Sequence, residues 1–263
     1  MVLRGALKLL FNSSKGCKKM KSVFVSGSIS IKTLPSEVIK SFDKIISQNI
    51  QVYVGDADGI DILTQNYLAS KSYTNVTVCT IKKHPRNQAS NLFNISRVNY
   101  DETLKSHREQ QTFKDIYMTN NTDYSFVIWD GKSKGSFSNI KRAFKENKKL
   151  KIYYMSIDRC LLKEELTPSS IENIYKSNTG YTPSEIVAKI KTSNIYTNIS
   201  KVSELKEWFI NHKIFKQTQN KLEIDSKYKD YFIVENYRGS QSIKYKKGVL
   251  ELINENSIFG QRA

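Results

Sequence analysis

From residue 21 to about residue 155 the sequence alternates short β-rich runs with segments whose apolar residues recur at helical spacing. Five runs are rich in Val, Ile, Tyr and Phe, as strands are: SVFVSGS, IQVYVGD, NVTVCTI, DYSFVIWDG and KLKIYYM. Four segments with helical periodicity stand between them: LPSEVIKSFDKIISQ, GIDILTQNYLASKS, EQQTFKDIYMTNNT and SFSNIKRAFKENK. Strands that alternate with helices form βαβ units, so we predict an α/β fold in which a parallel sheet is flanked by helices.

The alternation stops near LTPSSIENIYKSNTGYTPSEI, where Ser, Thr, Pro and Asn cluster, and we place a domain boundary there, after residue 162. Beyond it, Thr182, Pro183 and Glu185 have the pattern of a helix N-cap, a first helical residue and a capping-box partner. A second helix, SKVSELKEWFINHK, precedes the short runs KLEID, YFIVENY and QSIKYKK. The sequence therefore predicts a first domain over residues 21–162 and a small α+β domain over residues 163–263.

The first twenty residues, MVLRGALKLLFNSSKGCKKM, are basic and contain no acid. This composition is typical of an organelle transit peptide, and it also fits a spurious upstream start codon or a short amphipathic anchor. We favour Met20 as the functional start because a predicted strand follows it at once. Residues 1–20 are then a basic extension outside the functional chain.

The composition excludes several classes of protein. A chain of 263 residues, 39% of them hydrophobic, buries a core of its own, and none of its stretches approaches the roughly 18 consecutive apolar residues of a membrane span. The three cysteines are too few and too scattered for a disulfide scaffold, and the three histidines form no spaced pair. We predict a cytoplasmic protein with no membrane partner, no metal and no cofactor.

The net charge of +17 raises the question of nucleic-acid binding. The basic residues are spread along the chain and are mostly Lys, whereas Arg, the better bidentate reader of guanine and phosphate, is scarce. A lysine-rich solvated surface is therefore favoured over attraction of nucleic acid by the whole surface.

Small and polar residues stand at the ends of three of the β-rich runs or just beyond them. They are Ser26, Gly27 and Ser28 at the first run, Gly55, Asp56, Asp58 and Gly59 at the second, and Gly131, Lys132, Ser133, Gly135 and Ser136 at the fourth. In a parallel sheet ligands bind beyond the carboxyl ends of the strands. Glycine lets the backbone approach a ligand, and the start of the next helix attracts an anion. We predict that these residues line one ligand cleft.

The aspartates of GDADGID do not form a calcium loop. Such a loop needs a bidentate Glu at its twelfth position, and the twelfth position counted from Asp56 is Tyr67. Carboxylates beside a phosphate site suit ribose hydroxyls or the capping of N–H groups, and Asp61 also favours the dipole of its own helix. On this interpretation Gly59→Val blocks the approach of the ligand and leaves the fold intact.

The segments VFVSGSISIKTLP, VGDADGIDILTQNYL, HPRNQ and FVIWDGKSKGSFSNI together resemble a bacterial branch of the SLOG superfamily. This Rossmann-like group includes DNA-processing protein A and the Lonely Guy phosphoribohydrolases, and the resemblance covers about residues 20–155. Gly55, Asp56, Ala57, Gly59 and Asp61 fill its G-[DG]-A-x-G-x-D motif. The resemblance implies a Rossmann-like parallel sheet flanked by helices that binds a nucleotide or a nucleotide-derived ligand. Some members cut the N-glycosidic bond of a nucleoside monophosphate.

Two departures from the family bear on catalysis. Ile29 stands where related sequences commonly have an Arg, and Asn139 stands where the hydrolases have a catalytic Glu. An amide is neither a general acid nor a general base, so binding is favoured over hydrolysis. If the chain is an enzyme, an N-glycosidase acting on nucleotides, the catalytic candidates are Asp130 and Asp123, which bracket the fourth β-rich run, with Asp115 on the helix before that run.

Two residues follow the third β-rich run in a loop that can fold over a phosphate. They are Arg86 and Asn87. We predict that Arg86 and Lys132 are charge partners of a ligand phosphate. Trp129 is expected to pack against the sheet rather than to stack on a base.

The end of the chain, YRGSQSIKYKKGVLELI, resembles the last hairpin and helix of the C-terminal domain of phage antirepressors. The resemblance implies a winged-helix-like domain whose recognition helix runs from Ser200 to His212. Its basic residues are candidates for contact with nucleic acid: Lys201, Lys206, Lys244, Lys246 and Lys247. DNA, a protein partner and self-association as a homo-oligomer all stay open. The function predicted from sequence is a sensor in which the first domain binds a nucleotide-type ligand and the C-terminal domain reports its presence.

Overall fold

The computed structural model of the protein describes residues 20–100, 103–193, 195, 197–218, 221–237 and 239–259. The interpretations of residues 1–19 lie outside the described residues. The chain folds as two compact units, and the first ends at Leu161 while the second begins at Leu162. No helix within the described ranges is both long enough and apolar enough to cross a membrane.

The first unit is built on one seven-stranded sheet. Its elements are β1 (Ser22–Gly27), α1 (Ser36–Ser47), β2 (Gln51–Val54), α2 (Ile60–Ser70), β3 (Val76–Thr80), β4 (Asn94–Arg97), α3 (His107–Asn120), β5 (Tyr124–Trp129), α4 (Lys134–Lys145), β6 (Lys149–Tyr154) and β7 (Arg159–Cys160). The strand order is β4-β3-β2-β1-β5-β6-β7, and every pair is parallel except β6 with β7. The predicted Rossmann-like α/β fold is confirmed.

The strand order places β1 between β2 and β5. The chain moves outward from β1 through β2, β3 and β4, then returns to pair β5 with the other side of β1. Such a reversal of strand order opens a crevice at the carboxyl ends of the two strands that flank it. The crevice of this sheet therefore lies where β1 and β5 end.

Side chains on the two faces of the sheet pack against different helices, because neighbouring residues of a strand point to opposite faces. Val23 and Val25 belong to a core that also contains Phe42 of α1 and Leu68 of α2. Phe24 packs with Cys79 and with Met118 of α3. Ser26, two residues after Phe24, shares the face of the sheet that α3 covers.

Three details of the first unit differ from the sequence prediction. The polar segment from Lys82 to about Glu109 contains β4, an edge strand with mostly exposed side chains. A short antiparallel strand, β7, follows β6. Serine commonly caps helices, and the sequence LPSEV predicts Ser36 as the cap of α1, but Ser36 is the first residue of the helix and Pro35 holds the N-cap position. Trp129 is fully buried and stacks on Phe137, as predicted.

The described part of the second unit contains four α-helices and four strands. Its elements are α5 (Pro168–Thr179), α6 (Pro183–Thr192), α7 (Val202–Asn211), β8 (Phe215–Gln217), β9 (Leu222–Ile224), β10 (Phe232–Tyr237), β11 (Ser240–Tyr245) and α8 (Val249–Phe259). The strands form two antiparallel pairs, β8 with β9 and β10 with β11. The sequence reading missed α5 and β8.

The core of the second unit is aromatic. Phe209 is fully buried, and its ring centroid lies 4.8 Å from that of Phe215, 5.5 Å from that of Phe232 and 5.7 Å from that of Tyr245. The capping box predicted at the start of α6 is confirmed, because Thr182 accepts a hydrogen bond from the Glu185 N–H and the Glu185 carboxylate accepts one from the Thr182 N–H.

Candidate functional site

A cleft of about 280 Å³ opens at the carboxyl end of β1. Its walls come from the end of β1 and the loop after it, the loops after β2 and β3, and the helices α2, α3 and α4. Eight of the residues predicted from sequence line it: Ser26, Gly27, Asp61, Arg86, Ser133, Gly135, Ser136 and Asn139. Residues that the sequence did not point to also line it, among them Phe24, Gln111, Lys114 and Met118.

Asp56 is the buried anchor of the loops around this cleft. Its side chain is fully buried, and its Oδ1 accepts hydrogen bonds from Arg86 Nη2 at 2.8 Å and from Lys114 Nζ at 3.0 Å. Its Oδ2 accepts from the Thr80 hydroxyl at 2.9 Å and from the Arg86 N–H at 3.2 Å. Burial opposes ionisation, but these partners outweigh it and hold the pKa of Asp56 well below its usual range. Asp56 is thus a structural anion, and it does not line the cleft.

Asp61 faces the cleft from the first turn of α2. Its Oδ2 accepts a hydrogen bond from the Ala57 N–H at 3.1 Å, and a Cβ built on Gly55 would stand 2.2 Å from the same oxygen. Glycine at position 55 therefore makes room for this carboxyl. Burial raises the pKa of Asp61 to about 7, and the nearby Lys114 ammonium and the Ala57 N–H offset the effect only in part. Asp61 consequently holds a proton close to neutral pH.

Asp115 is a second carboxyl in the cleft, carried by α3. Its pKa is raised by burial, against the opposing effects of Lys114, Arg142 and a hydrogen bond from the Asn139 side chain. Asn139 in turn accepts a hydrogen bond from Arg142 Nη1 at 2.7 Å. The amide at position 139 thus stands beside a carboxyl that comes from another helix, which the sequence comparison with the hydrolases did not reveal.

The N-terminus of α4 forms another wall. Ser133, Gly135 and Ser136 line the cleft, and a Cβ built on Gly135 would meet no atom of the described residues within 4 Å. The first N–H groups of a helix have no partner within it, and they carry the positive end of its dipole. This end of α4 therefore presents N–H groups and open space to an anion.

Asp130 orients the loop that precedes α4. Its Oδ1 accepts hydrogen bonds from the N–H groups of Lys132 and Ser133, and its Oδ2 accepts one from the Ser30 hydroxyl. Burial opposes ionisation, yet these bonds lower the pKa of Asp130. An ionised carboxylate is a poor proton donor but can steady a positive charge. Asp130 does not line the cleft, and the catalytic role predicted for it stays a prediction.

Asp123 lies just before the amino-terminal end of β5, at the end of the central strands that is opposite the cleft. It precedes β5, and its Oδ2 accepts hydrogen bonds from the N–H and the hydroxyl of Ser22 at the start of β1. The cleft lies at the other end of both strands, so Asp123 is not a catalytic candidate. Its two bonds instead tie together the beginnings of the two central strands.

Three further predicted ligand residues, Ser28, Asn87 and Lys132, are not among the residues that line the cleft. Asn87 Nδ2 donates to the Asp56 carbonyl and to the exposed Asp58 carboxylate, and so it fixes the loop after β2. Ser28 is buried, and its Oγ accepts a hydrogen bond from the Asp130 N–H. Lys132 is exposed and does not line the cleft, so the predicted cation pair with Arg86 is not assembled there.

Two glycines serve backbone geometry. Gly131 has a φ of +83° in the turn before α4. Gly59 has a φ of +69°, and a Cβ on it would come within 2.6 Å of backbone atoms of Ser28 and Ile29. The interpretation of Gly59→Val as a change that blocks only the ligand is therefore wrong, because the substitution displaces the loop after β1.

Stability should fall with rising pH because of Asp61. A carboxyl whose pKa rises from about 4 in the unfolded chain to about 7 in the folded state binds more protons when folded, so the free energy of unfolding decreases between these pH values. We expect Asp61→Asn to lose less stability than the parent protein between pH 5 and pH 8, as measured by urea unfolding. Asp58→Asn, at an exposed carboxylate, should follow the parent curve. Identical pH dependence in parent and Asp61→Asn would contradict this assignment.

The lysines proposed for the C-terminal domain occupy several elements of the second unit. Lys201 is the exposed N-cap of α7, and Lys206 is half-buried on that helix. Lys244 lies in β11, and Lys246 and Lys247 are exposed just after it.

The sheet order and the cleft at its point of reversal define a Rossmann-like α/β protein. No family model and no curated protein matches the chain. Among solved structures, the chain is similar to DNA processing protein A from Helicobacter pylori, whose structure was described for its single-stranded DNA binding mode. The two share 16% sequence identity with a TM-score of 0.43, and the similarity covers 60% of this chain and 80% of that chain.

Proposed function

We propose that the cleft binds a phosphorylated ligand of the nucleotide type. The observation that carries this proposal is Ser26. Its side chain is 4% exposed and lines the cleft, and its hydroxyl has no hydrogen-bond partner among the described residues. A buried hydroxyl without a partner is costly, so a ligand that bonds to it explains its presence.

The walls on either side of Ser26 suit the two ends of such a ligand. The N-terminus of α4 offers N–H groups and its dipole to a phosphate, and Gly135 leaves the approach open. Asp61 and Asp115 offer carboxyl oxygens, which suit the hydroxyls of a sugar. Phe24, Ile29 and Met118 add an apolar surface.

Calorimetric titration of the full chain with adenosine, guanosine, cytidine and uridine 5′-monophosphates tests the proposal. We expect at least one of them to bind, and we expect Ser26→Ala to weaken that binding roughly tenfold, the effect of one hydrogen bond to a charged or polar ligand group. Ser125→Ala is the matched control, since Ser125 has an equally buried hydroxyl without a described partner and does not line the cleft. Absence of binding by all four nucleotides would overturn the proposal.

A second candidate is cleavage of the N-glycosidic bond of the bound nucleotide. Asp61 favours it, because a carboxyl in the cleft with a pKa of about 7 can donate a proton to a leaving base. The same titration mixtures, analysed by chromatography, would then contain free base. Asp61→Asn should abolish the release while the nucleotide still binds; release at the parent rate would exclude Asp61 as the donor.

The second unit is proposed to be a winged-helix-like interaction domain that signals occupancy of the cleft to DNA or to a protein. Its support is the order of α6, α7 and the β8–β9 hairpin, with Lys201 exposed at the start of α7. α7 carries one basic residue, Lys206, and two acidic residues, Glu204 and Glu207. Because the acidic side chains repel the phosphates of DNA, this helix favours a protein partner.

A further inference from the structure

Asn139 links two charged groups across the packed helices α3 and α4. Its Oδ1 accepts a hydrogen bond from Arg142 Nη1 at 2.7 Å, so its amide nitrogen is the group that hydrogen-bonds Asp115. Asn139 is 5% exposed, and Arg142 lies one turn further along the same helix. The amide therefore has both ends occupied and a single orientation.

Asp115 is surrounded by charge of both signs. Burial and the Asp56 carboxylate oppose its ionised form, whereas Lys114 on its own helix and Arg142 on α4 favour it. Asp115 in turn raises the pKa of Asp61. Asp56 is saturated by Arg86, Lys114 and Thr80. The carboxyls that line the cleft, and so have oxygens available to a ligand, are Asp61 and Asp115.

The spacing along α4 relates Asp115 to the anion-binding end of that helix. Asn139, which holds Asp115, follows Gly135 by four residues and lies on the same face of α4. Four residues of helix rise about 6 Å, which is close to the distance between the phosphate and the ring hydroxyls of a sugar phosphate. Gly135, Asn139 and Asp115 line the same cleft, so a ligand with its phosphate at Gly135 and its sugar extending along α4 would bring the sugar hydroxyls toward the carboxyl that Asn139 holds.

We propose that Asp115 accepts hydrogen bonds from the sugar hydroxyls of the bound ligand, and that Asn139 and Arg142 are positioning residues that hold its carboxyl toward them. This inference rests on the proposed binding of a phosphorylated ligand. It names the ligand class more closely, as one that carries free sugar hydroxyls about one helical turn from its phosphate.

Calorimetry with ribose 5-phosphate and with inorganic phosphate separates the sugar contact from the phosphate contact. For Asp115→Asn, which keeps the shape of the side chain, we expect a loss of about tenfold or more in affinity for ribose 5-phosphate. Its affinity for inorganic phosphate should stay within about twofold of the parent value. Asn139→Ala should show the same selective loss, and Asn120→Ala, at an exposed position near the end of α3, should show none.

A positioning role has a second readout in the protein without ligand. Removing Asn139 deletes a hydrogen bond to the ionised form of Asp115, so the midpoint of the Asp115 carboxyl in a carbon-13 NMR titration should rise in Asn139→Ala. An unchanged midpoint would overturn the positioning role of Asn139. Urea unfolding of each variant establishes that it is folded under the conditions of the titration.

The outcomes distinguish this inference from the proposed function. Binding of inorganic phosphate without tighter binding of ribose 5-phosphate, or equal affinity of Asp115→Asn and the parent for ribose 5-phosphate, would overturn the role of Asp115 and leave phosphate binding in place. If the parent protein bound neither probe, the inference would fail, whereas the proposed function fails only if none of the four nucleoside 5′-monophosphates binds.

Discussion

Replacing Asp56 with alanine is expected to lower the free energy of unfolding by about 3–5 kcal/mol, the usual result of removing one partner from a buried ion pair. The reason is Lys114, whose side chain is 3% exposed and whose ammonium donates to Asp56 Oδ1. Without that carboxylate a buried cation loses its anion, and Arg86 and Thr80 lose an acceptor as well. Most surface substitutions, by comparison, change stability by less than about 0.5 kcal/mol.

Urea unfolding at pH 7 measures this effect. The lowered pKa of Asp56 contributes stability that is complete above the unfolded value of about 4 and is lost only as the pH falls toward the much lower folded value, so pH 7 captures all of it. Asp58→Ala is the matched control, two residues away at an exposed carboxylate that accepts one hydrogen bond from Asn87. A loss of less than about 1 kcal/mol in Asp56→Ala would show that Lys114 does not depend on this anion.

Introducing a carboxylate at the start of α4 should strongly weaken the binding of a phosphorylated ligand. In Gly135→Asp the new side chain projects into open space at the proposed phosphate position, where it competes for the same N–H groups and repels the ligand charge. We expect affinity for nucleoside 5′-monophosphates to fall roughly 100-fold or more, equivalent to about 2.7 kcal/mol. The fold should persist, because an acidic residue in the first turn of a helix is favourable.

Gly135→Ala is the control for this variant. A methyl group meets no described atom within 4 Å, so the affinity should change little, and stability should rise by about 0.5–1 kcal/mol because alanine is the better helix former. Calorimetry for the affinity and urea unfolding for stability give both quantities. If Gly135→Asp bound nucleotides as tightly as Gly135→Ala does, the phosphate would have to bind elsewhere.

Much of the sheet was predictable because its strands are apolar on both faces and end in residues that disfavour continuation. The run before Asp56 forms β2, in which Val52 and Val54 are buried, and Gly59 has the positive φ that ends the turn into α2. β4 was not predictable, since its side chains are mostly exposed and its sequence, NISR, has no clear period. An edge strand such as β4 is held mainly by backbone hydrogen bonds to the neighbouring strand, and backbone groups are the same for every residue type, so its sequence gives little sign of it.

The chemistry of the cleft was less predictable, and α3 shows why. This helix buries Lys114 and leaves Phe113 36% and Ile116 37% exposed, which reverses the pattern by which an amphipathic helix marks its inner face. A prediction that places Phe113 and Ile116 on the buried face of α3 therefore puts Lys114 on the wrong face of the helix. The partner of Lys114, Asp56, is 58 residues away, and only the fold brings the two together.

Asn139 shows a different limit of the sequence. Its identity argues against carboxylate chemistry when the position is considered alone. In the folded protein the Asn139 amide hydrogen-bonds Asp115 of α3. The acid that is missing from α4 is therefore accompanied by an acid on the neighbouring helix α3. Matching a motif position by position does not detect such an exchange, because the two residues are distant in sequence.

Arg86 and Lys114 share one acceptor atom, since both donate to Asp56 Oδ1. Arg86 lies in the loop between β3 and β4 with its side chain 33% exposed, whereas Lys114 lies in the middle of α3 with its side chain 3% exposed, so a ligand can reach the arginine more easily than the lysine. If a ligand anion binds Arg86 in place of Asp56, Lys114 becomes the only one of these two cations that donates to Oδ1, and its hydrogen bond to that oxygen becomes stronger. The distribution of positive charge over the cleft floor is thereby set by the occupancy of a single carboxylate oxygen.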